Sequence, residues 1–167
     1  MGDDMQVTGN SMKRTFKDVA HEFCRWAESA EPKADLERWL VITLSELIHL
    51  VVKINDDGKD DAGTHEFRKR DYKEVRGSFP HLPFHWYFES ADCFELEKNE
   101  VLPGELLDDL IDIYQDLSHG LYIHEHTAPS EAERFWRQAY RIHWGEHATS
   151  ALRALYYYER DSVYRER

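Results

Sequence analysis

Two histidines four residues apart, in His143-Trp144-Gly145-Glu146-His147, are the residues of this chain best spaced for chemistry. On a helix rising about 1.5 Å per residue they share a face, and their ring nitrogens can reach one transition-metal ion. Two ligands do not complete a site. Trp144 also stands where zinc hydrolases of the H-E-x-x-H type carry a glutamate. The competing reading is a pair of core histidines, each hydrogen-bonded to a carboxylate or a carbonyl. Both positions fall in the stripe Trp136, Tyr140, His143, Trp144, His147, Ala151, Ala154, Leu155 and Tyr158, so the sequence favours two mostly buried, packed rings. His143 and His147 stand as candidate metal ligands, a divalent metal is the one cofactor considered, and no catalytic residue is assigned.

The second group is the carboxylate row Glu105, Asp109, Asp112 and Asp116, whose spacings of four, three and four put it on one side of a helix. Such a row can hold a hard cation or activate a water. It opposes the apolar stripe Leu106, Leu110, Ile113, Tyr114, Leu117 and Leu121, however, so a solvated face, or one that docks a basic partner, is the expected reading. Asp109 and Asp116 lie nearest the stripe. If any carboxylate meets His143 or His147 across a helix interface, these two reach most easily.

The remaining candidates are weaker. His124 and His126 flank Glu125 and would point the same way in extended chain, but surface histidines explain them. Cys24 and Cys93 have no C-x-x-C partner and no strong activating neighbour, which argues against a zinc ribbon, a disulfide scaffold and a thiolate nucleophile. The acidic stretch 55–64 (NDDGKDDAGT) lacks the ligand alternation of an EF-hand and reads as an exposed loop. No G-x-S-x-G, P-loop or G-x-G-x-x-G is present. With 33 acidic against 21 basic residues the net charge is −12, which repels a phosphate backbone and excludes general nucleic-acid binding. No apolar run of about 18 residues and no leader-like N-terminus is seen, so the expectation is a cytoplasmic protein off the membrane.

The elements that must position these residues follow from periodicity. A helix from Thr15, with Asp18 in its first turn, ends before Pro32, and a second, from Asp35 to Ile54, is apolar around most of its circumference, as a central helix would be. Residues 66–77 suggest a short helix closed by Gly77. Pro80, Pro83 and the aromatics Phe84, Trp86 and Phe88 make 78–102 an irregular, aromatic-rich segment in which a short strand is also conceivable. A helix after Pro103 stops at Gly120, and the last one opens on a Ser130/Glu133 capping box and runs to about Tyr158. The fold class expected is an all-α, single-domain bundle of four to five helices. It would span 13–160, between a polar arm at 1–12 and a tail at 161–167, with the Pro103 and Ser130 helices antiparallel across 121–129.

The segments Asp108-Asp109-Leu110-Ile111-Asp112-Ile113-Tyr114-Gln115-Asp116-Leu117 and His143-Trp144-Gly145-Glu146-His147 resemble the bacterial domain-of-unknown-function family numbered 5063 over about residues 15–158. The resemblance implies a small helical bacterial protein and no activity. It marks Asp109, Asp112, Tyr114, Asp116, His143, Trp144, Gly145 and His147 as motif residues without roles. The reading that follows is a non-enzymatic module, immunity-like or regulatory, that binds a basic protein. The alternative is a metal-dependent helical-bundle enzyme in which Asp109, Asp112 or Asp116 completes the histidine pair.

Overall fold

Thr15 and Asp18 open the first helix, α1 (Phe16–Ser29), by exchanging hydrogen bonds. The Thr15 backbone N–H donates to Asp18 Oδ2 at 2.9 Å and the Asp18 N–H donates to Thr15 Oγ1 at 3.3 Å, a reciprocal cap for the free amides of the first turn. The computed structural model describes residues 13–29, 31–55, 67, 70–79, 81–90, 94 and 100–165. The expected arm at 1–12, nearly all of the acidic loop 55–64, and Cys93 lie outside them.

After α2 (Leu36–Val51) and the short α3 (Tyr72–Ser78), the strands β1 (Trp86–Ser90) and β2 (Val101–Glu105) form an antiparallel hairpin with Trp86 opposite Glu105 and Ser90 opposite Val101. The helices α4 (Leu106–His126), α5 (Pro129–Ala139) and α6 (Gly145–Arg165) follow, with a π turn at Tyr140–Trp144 joining the last two. Among the described residues the molecule is a helical bundle carrying one hairpin.

Several boundaries depart from expectation, each for a physical reason. The short helix starts at Tyr72 because the Asp71 side chain accepts the Lys73 N–H at 2.8 Å and caps it there. The aromatic segment contains β1 and the start of β2, which runs through Pro103 and delays the helix to Leu106, and its Trp86 and Phe88 point outward, 65% and 75% exposed, rather than packing on the helices. Helix α4 continues through Gly120 to His126. That glycine is not a stop signal, for an added Cβ would lie 1.9 Å from the Trp136 indole nitrogen. Helix α5 begins at Pro129, preorganised for a first helical position, and no side chain caps it, so the Ser130/Glu133 box is not formed. Helix α6 continues past Tyr158, and the expected tail is helical to Arg165.

The central helix is α4, not α2. It packs against α1, α5 and α6, whereas α2 lies on α1 and α6 and leaves Ile42 exposed. Leu106, Leu110, Ile113, Tyr114 and Leu117 of α4 are buried with Phe23, Leu40, Leu44, Trp136 and Trp144. Among the described residues no helix is long and apolar enough to cross a membrane.

Candidate functional site

The π turn decides what faces α4. The buried positions of α5 are Ala132, Trp136 and Ala139, and the buried hydrophobic positions from the end of the turn onward are Trp144, Ala148, Ala151, Ala154 and Leu155. The step from Ala139 to Trp144 is one residue longer than an α-helical turn allows, and the π turn absorbs it. The Gly145 N–H bonds back to the Tyr140 carbonyl, and a Cβ at 145 would sit 2.2 Å from that oxygen, so glycine is required there. Trp144 fills the core, its Nε1–H donating to the Trp136 carbonyl at 3.2 Å. The histidines are thereby moved from the middle of the stripe to its edge. His143 is 40% and His147 27% exposed at the side chain, so both rings are more than half buried, as expected, but lie at the edge of the core.

At that edge they meet α4. His143 Nδ1 lies 2.7 Å from Asp116 Oδ2, and His147 Nδ1 lies 2.9 Å from Asp109 Oδ1. Rising numbers on one helix against falling numbers on the other make the two antiparallel. The acidic row is therefore not a solvated face: Asp109, Asp116 and Glu105 are buried, the last held by Arg76 at 2.6 Å. The apolar stripe of α4 meets one set of neighbours while its acidic edge meets the histidines of another, and a single-helix pattern cannot distinguish such an edge from a wet one.

Each Nδ1–H donates to a carboxylate, which leaves Nε2 of both rings as the acceptor nitrogen. Asp112, less buried than its neighbours, brings Oδ2 to 3.5 Å from His147 Nε2. The rings of His143 and His147 stand 5.0 Å apart at 75°. One ligand-capable atom from each of Asp112, His143 and His147 fits within a 4.8 Å group, the set of metal-ligating side chains brought together among the described residues. Asp109 and Asp116 are not ligands in this arrangement; they orient the rings, as outer-shell carboxylates do for metal-bound histidines.

The electrostatics agree. The hydrogen bond from Asp109 is the largest influence raising the His147 pKa, against the desolvation of the ring, and Asp112 adds to it. Burial raises the Asp109 pKa, and its bonds to His147 and Tyr87 pull it back. Asp109 and Asp112 thus both favour positive charge at the His147 ring.

Tyr87, which nothing in the sequence marked, donates its hydroxyl to Asp109 Oδ2 at 2.5 Å. Its signal was present but ambiguous. In β1 it alternates with exposed aromatics, and its partner across the hairpin is Gly104. Of the motif residues, Tyr114 lies apart, donating to Glu28 Oε1 at 2.6 Å, with burial first among the causes that push its pKa up to about 12. His124 and His126 occupy the last turn of α4 rather than extended chain, and His126 Nδ1 lies 2.9 Å from the Tyr122 carbonyl. Cys24 is buried, and desolvation pushes its thiol pKa up, so it is no nucleophile.

A family model matches residues 10–160, nearly the whole bundle and every residue of this site. The chain belongs to the DUF5063 family, whose description is a domain of unknown function. No curated protein and no solved structure matches it.

Proposed function

We propose that this DUF5063 member binds one divalent transition-metal ion through His143, His147 and Asp112. The observation that carries the reading is that both Nδ1 atoms are paired with buried aspartates while one ligand-capable atom from each of Asp112, His143 and His147 lies within 4.8 Å of the others. Two imidazoles and a carboxylate suit zinc, iron, nickel or manganese better than calcium, which takes oxygen ligands. Three protein ligands leave a position for water, and a zinc-like ion brings such a water near neutral pKa, the nucleophile of metal-assisted hydrolysis. Asp112 Oδ2 at 3.5 Å from His147 Nε2 supplies the third ligand that the histidine pair alone lacks.

The test is thermal melting with zinc, nickel or manganese, on the wild type and on His147→Ala and Asp112→Asn. A metal-dependent rise in midpoint that both substitutions abolish supports the site. A wild-type midpoint unmoved by all three metals rejects it.

The binding-module reading is favoured by a different observation. A groove between α2 and α6 carries Asp35, Glu37 and Glu159 around Val41, Ile42 and Leu155, with Arg38 its one basic lining residue. In a chain of net charge −12 this suits a basic partner. Its test is capture of a partner at low salt by the wild type and by a Glu37→Lys, Glu159→Lys variant; equal capture by both rejects the groove.

A further inference from the structure

The Tyr87 hydroxyl completes a chain of hydrogen bonds that begins on the hairpin and ends on a metal-ligand candidate: Tyr87 to Asp109 Oδ2, and His147 Nδ1–H to Asp109 Oδ1. Asp109 thus has both oxygens engaged, one by α6 and one by β1, and cannot rotate without breaking a bond to one of them. The hairpin is shaped for this contact. Gly104 stands opposite Tyr87, and an added Cβ there would lie 2.4 Å from the Tyr87 ring, so only a glycine lets the ring lie across β2 toward α4. A second contact, Ser150 Oγ to Glu89, ties the same face of β1 to α6. Leu106 N–H donates to the His85 carbonyl at 2.9 Å, which joins the base of the hairpin to the first turn of α4. Burial keeps the Tyr87 phenol protonated, hence a donor.

We propose that Tyr87 is a positioning residue of the His143/His147/Asp112 site, acting through Asp109 on His147, so that seating of the β1–β2 hairpin and metal occupancy are coupled. The inference rests on the metal reading above. It adds a regulatory consequence: anything that lifts the hairpin weakens the site, and by thermodynamic reciprocity metal holds the hairpin down by the same factor. Outer-shell partners of metal-bound histidines are typically worth about 10–100-fold in affinity; that is the place Asp109 holds, and it bounds from above the effect of Tyr87, one hydrogen bond further out.

The experiment measures zinc affinity by competition with a chromophoric chelator for the wild type, Tyr87→Phe and His147→Ala. It also follows hydrogen exchange of the 86–90 and 101–105 amides with and without zinc. Expected are a measurable loss, up to about tenfold, in affinity for Tyr87→Phe, near-complete loss for His147→Ala, and zinc-dependent protection of the hairpin in the wild type. In the metal-free protein the Nδ1 proton resonance of His147 should move in Tyr87→Phe while that of His143 stays, a signature that loss of general stability would not give. Zinc binding by the wild type with Tyr87→Phe equally tight, or with hairpin exchange unchanged by zinc, overturns the coupling and leaves the site. No zinc binding by the wild type overturns the site and the coupling with it. The exchange measurement needs no variant, so the proposal is decided even if Tyr87→Phe folds poorly.

Discussion

Each imidazole of the site is held by one buried aspartate, and this division of labour separates three carboxylates that look equivalent along the chain. Asp109→Asn and Asp116→Asn keep an acceptor beside Nδ1 but remove its charge, so each should weaken zinc binding by about 10–100-fold. Asp112→Asn, which removes a ligand, should cost at least as much, and chelator competition ranks the three. The sequence places Asp109 and Asp116 at the edge of the apolar stripe, where one of them could reach a histidine, and in the structure both do. Asp112 could not be singled out, because its role depends on which nitrogen the other two leave free. A second residue-scale expectation concerns the α1 cap. Thr15 holds the Asp18 pKa below its ordinary value of 3.8, first through its backbone N–H and then through its hydroxyl. A carboxylate depressed on folding adds stability above its unfolded pKa and loses it as pH falls through the folded one. The melting difference between wild type and Asp18→Ala should therefore be constant from about pH 5 to 8 and shrink below about pH 4. A difference that persists in acid would assign the contribution elsewhere.

At the scale of elements, the phase of the α5–α6 segment was the feature hardest to read. Its apolar residues were legible, but a continuous helix was assumed, and one extra residue turns every later position by about 100°. The shift shows only in burial, where Ala139 and Trp144 are core positions five apart while Tyr140 and Ile142, apolar in sequence, are not. Gly120 misled in the opposite direction: a glycine near the end of a strong stripe looks like a stop signal, yet this one admits a tryptophan ring from α5. The two glycines predict different outcomes. Gly120→Ala should destabilise the fold by about 1–3 kcal/mol through overpacking against Trp136, leaving the histidine–aspartate register and zinc affinity in place. Gly145→Ala cannot keep the π turn, so it should lose stability and zinc binding together. Denaturant unfolding alongside zinc competition separates them, and tight zinc binding by Gly145→Ala would show that the turn does not set the site.

At the scale of the whole molecule, the net charge of −12 complicates any test made with metals. A strongly acidic surface repels itself, and any divalent cation relieves that repulsion by screening, with no site at all. The fold should therefore melt higher as sodium chloride rises, and magnesium at matched ionic strength should do little more. Zinc at a held site acts differently. An ion that binds only the folded state stabilises by mass action, about 2.7 kcal/mol when free ion is a hundredfold above its dissociation constant, and this increment continues to grow logarithmically after screening has levelled off. His147→Ala leaves the overall acidic field almost unchanged, so it should keep the salt and magnesium responses and lose the zinc increment alone. Melting curves of both proteins across the three cations distinguish a centre held by His143, His147 and Asp112 from the diffuse attraction of an acidic surface. Identical rises with zinc and magnesium in the wild type would leave only the latter.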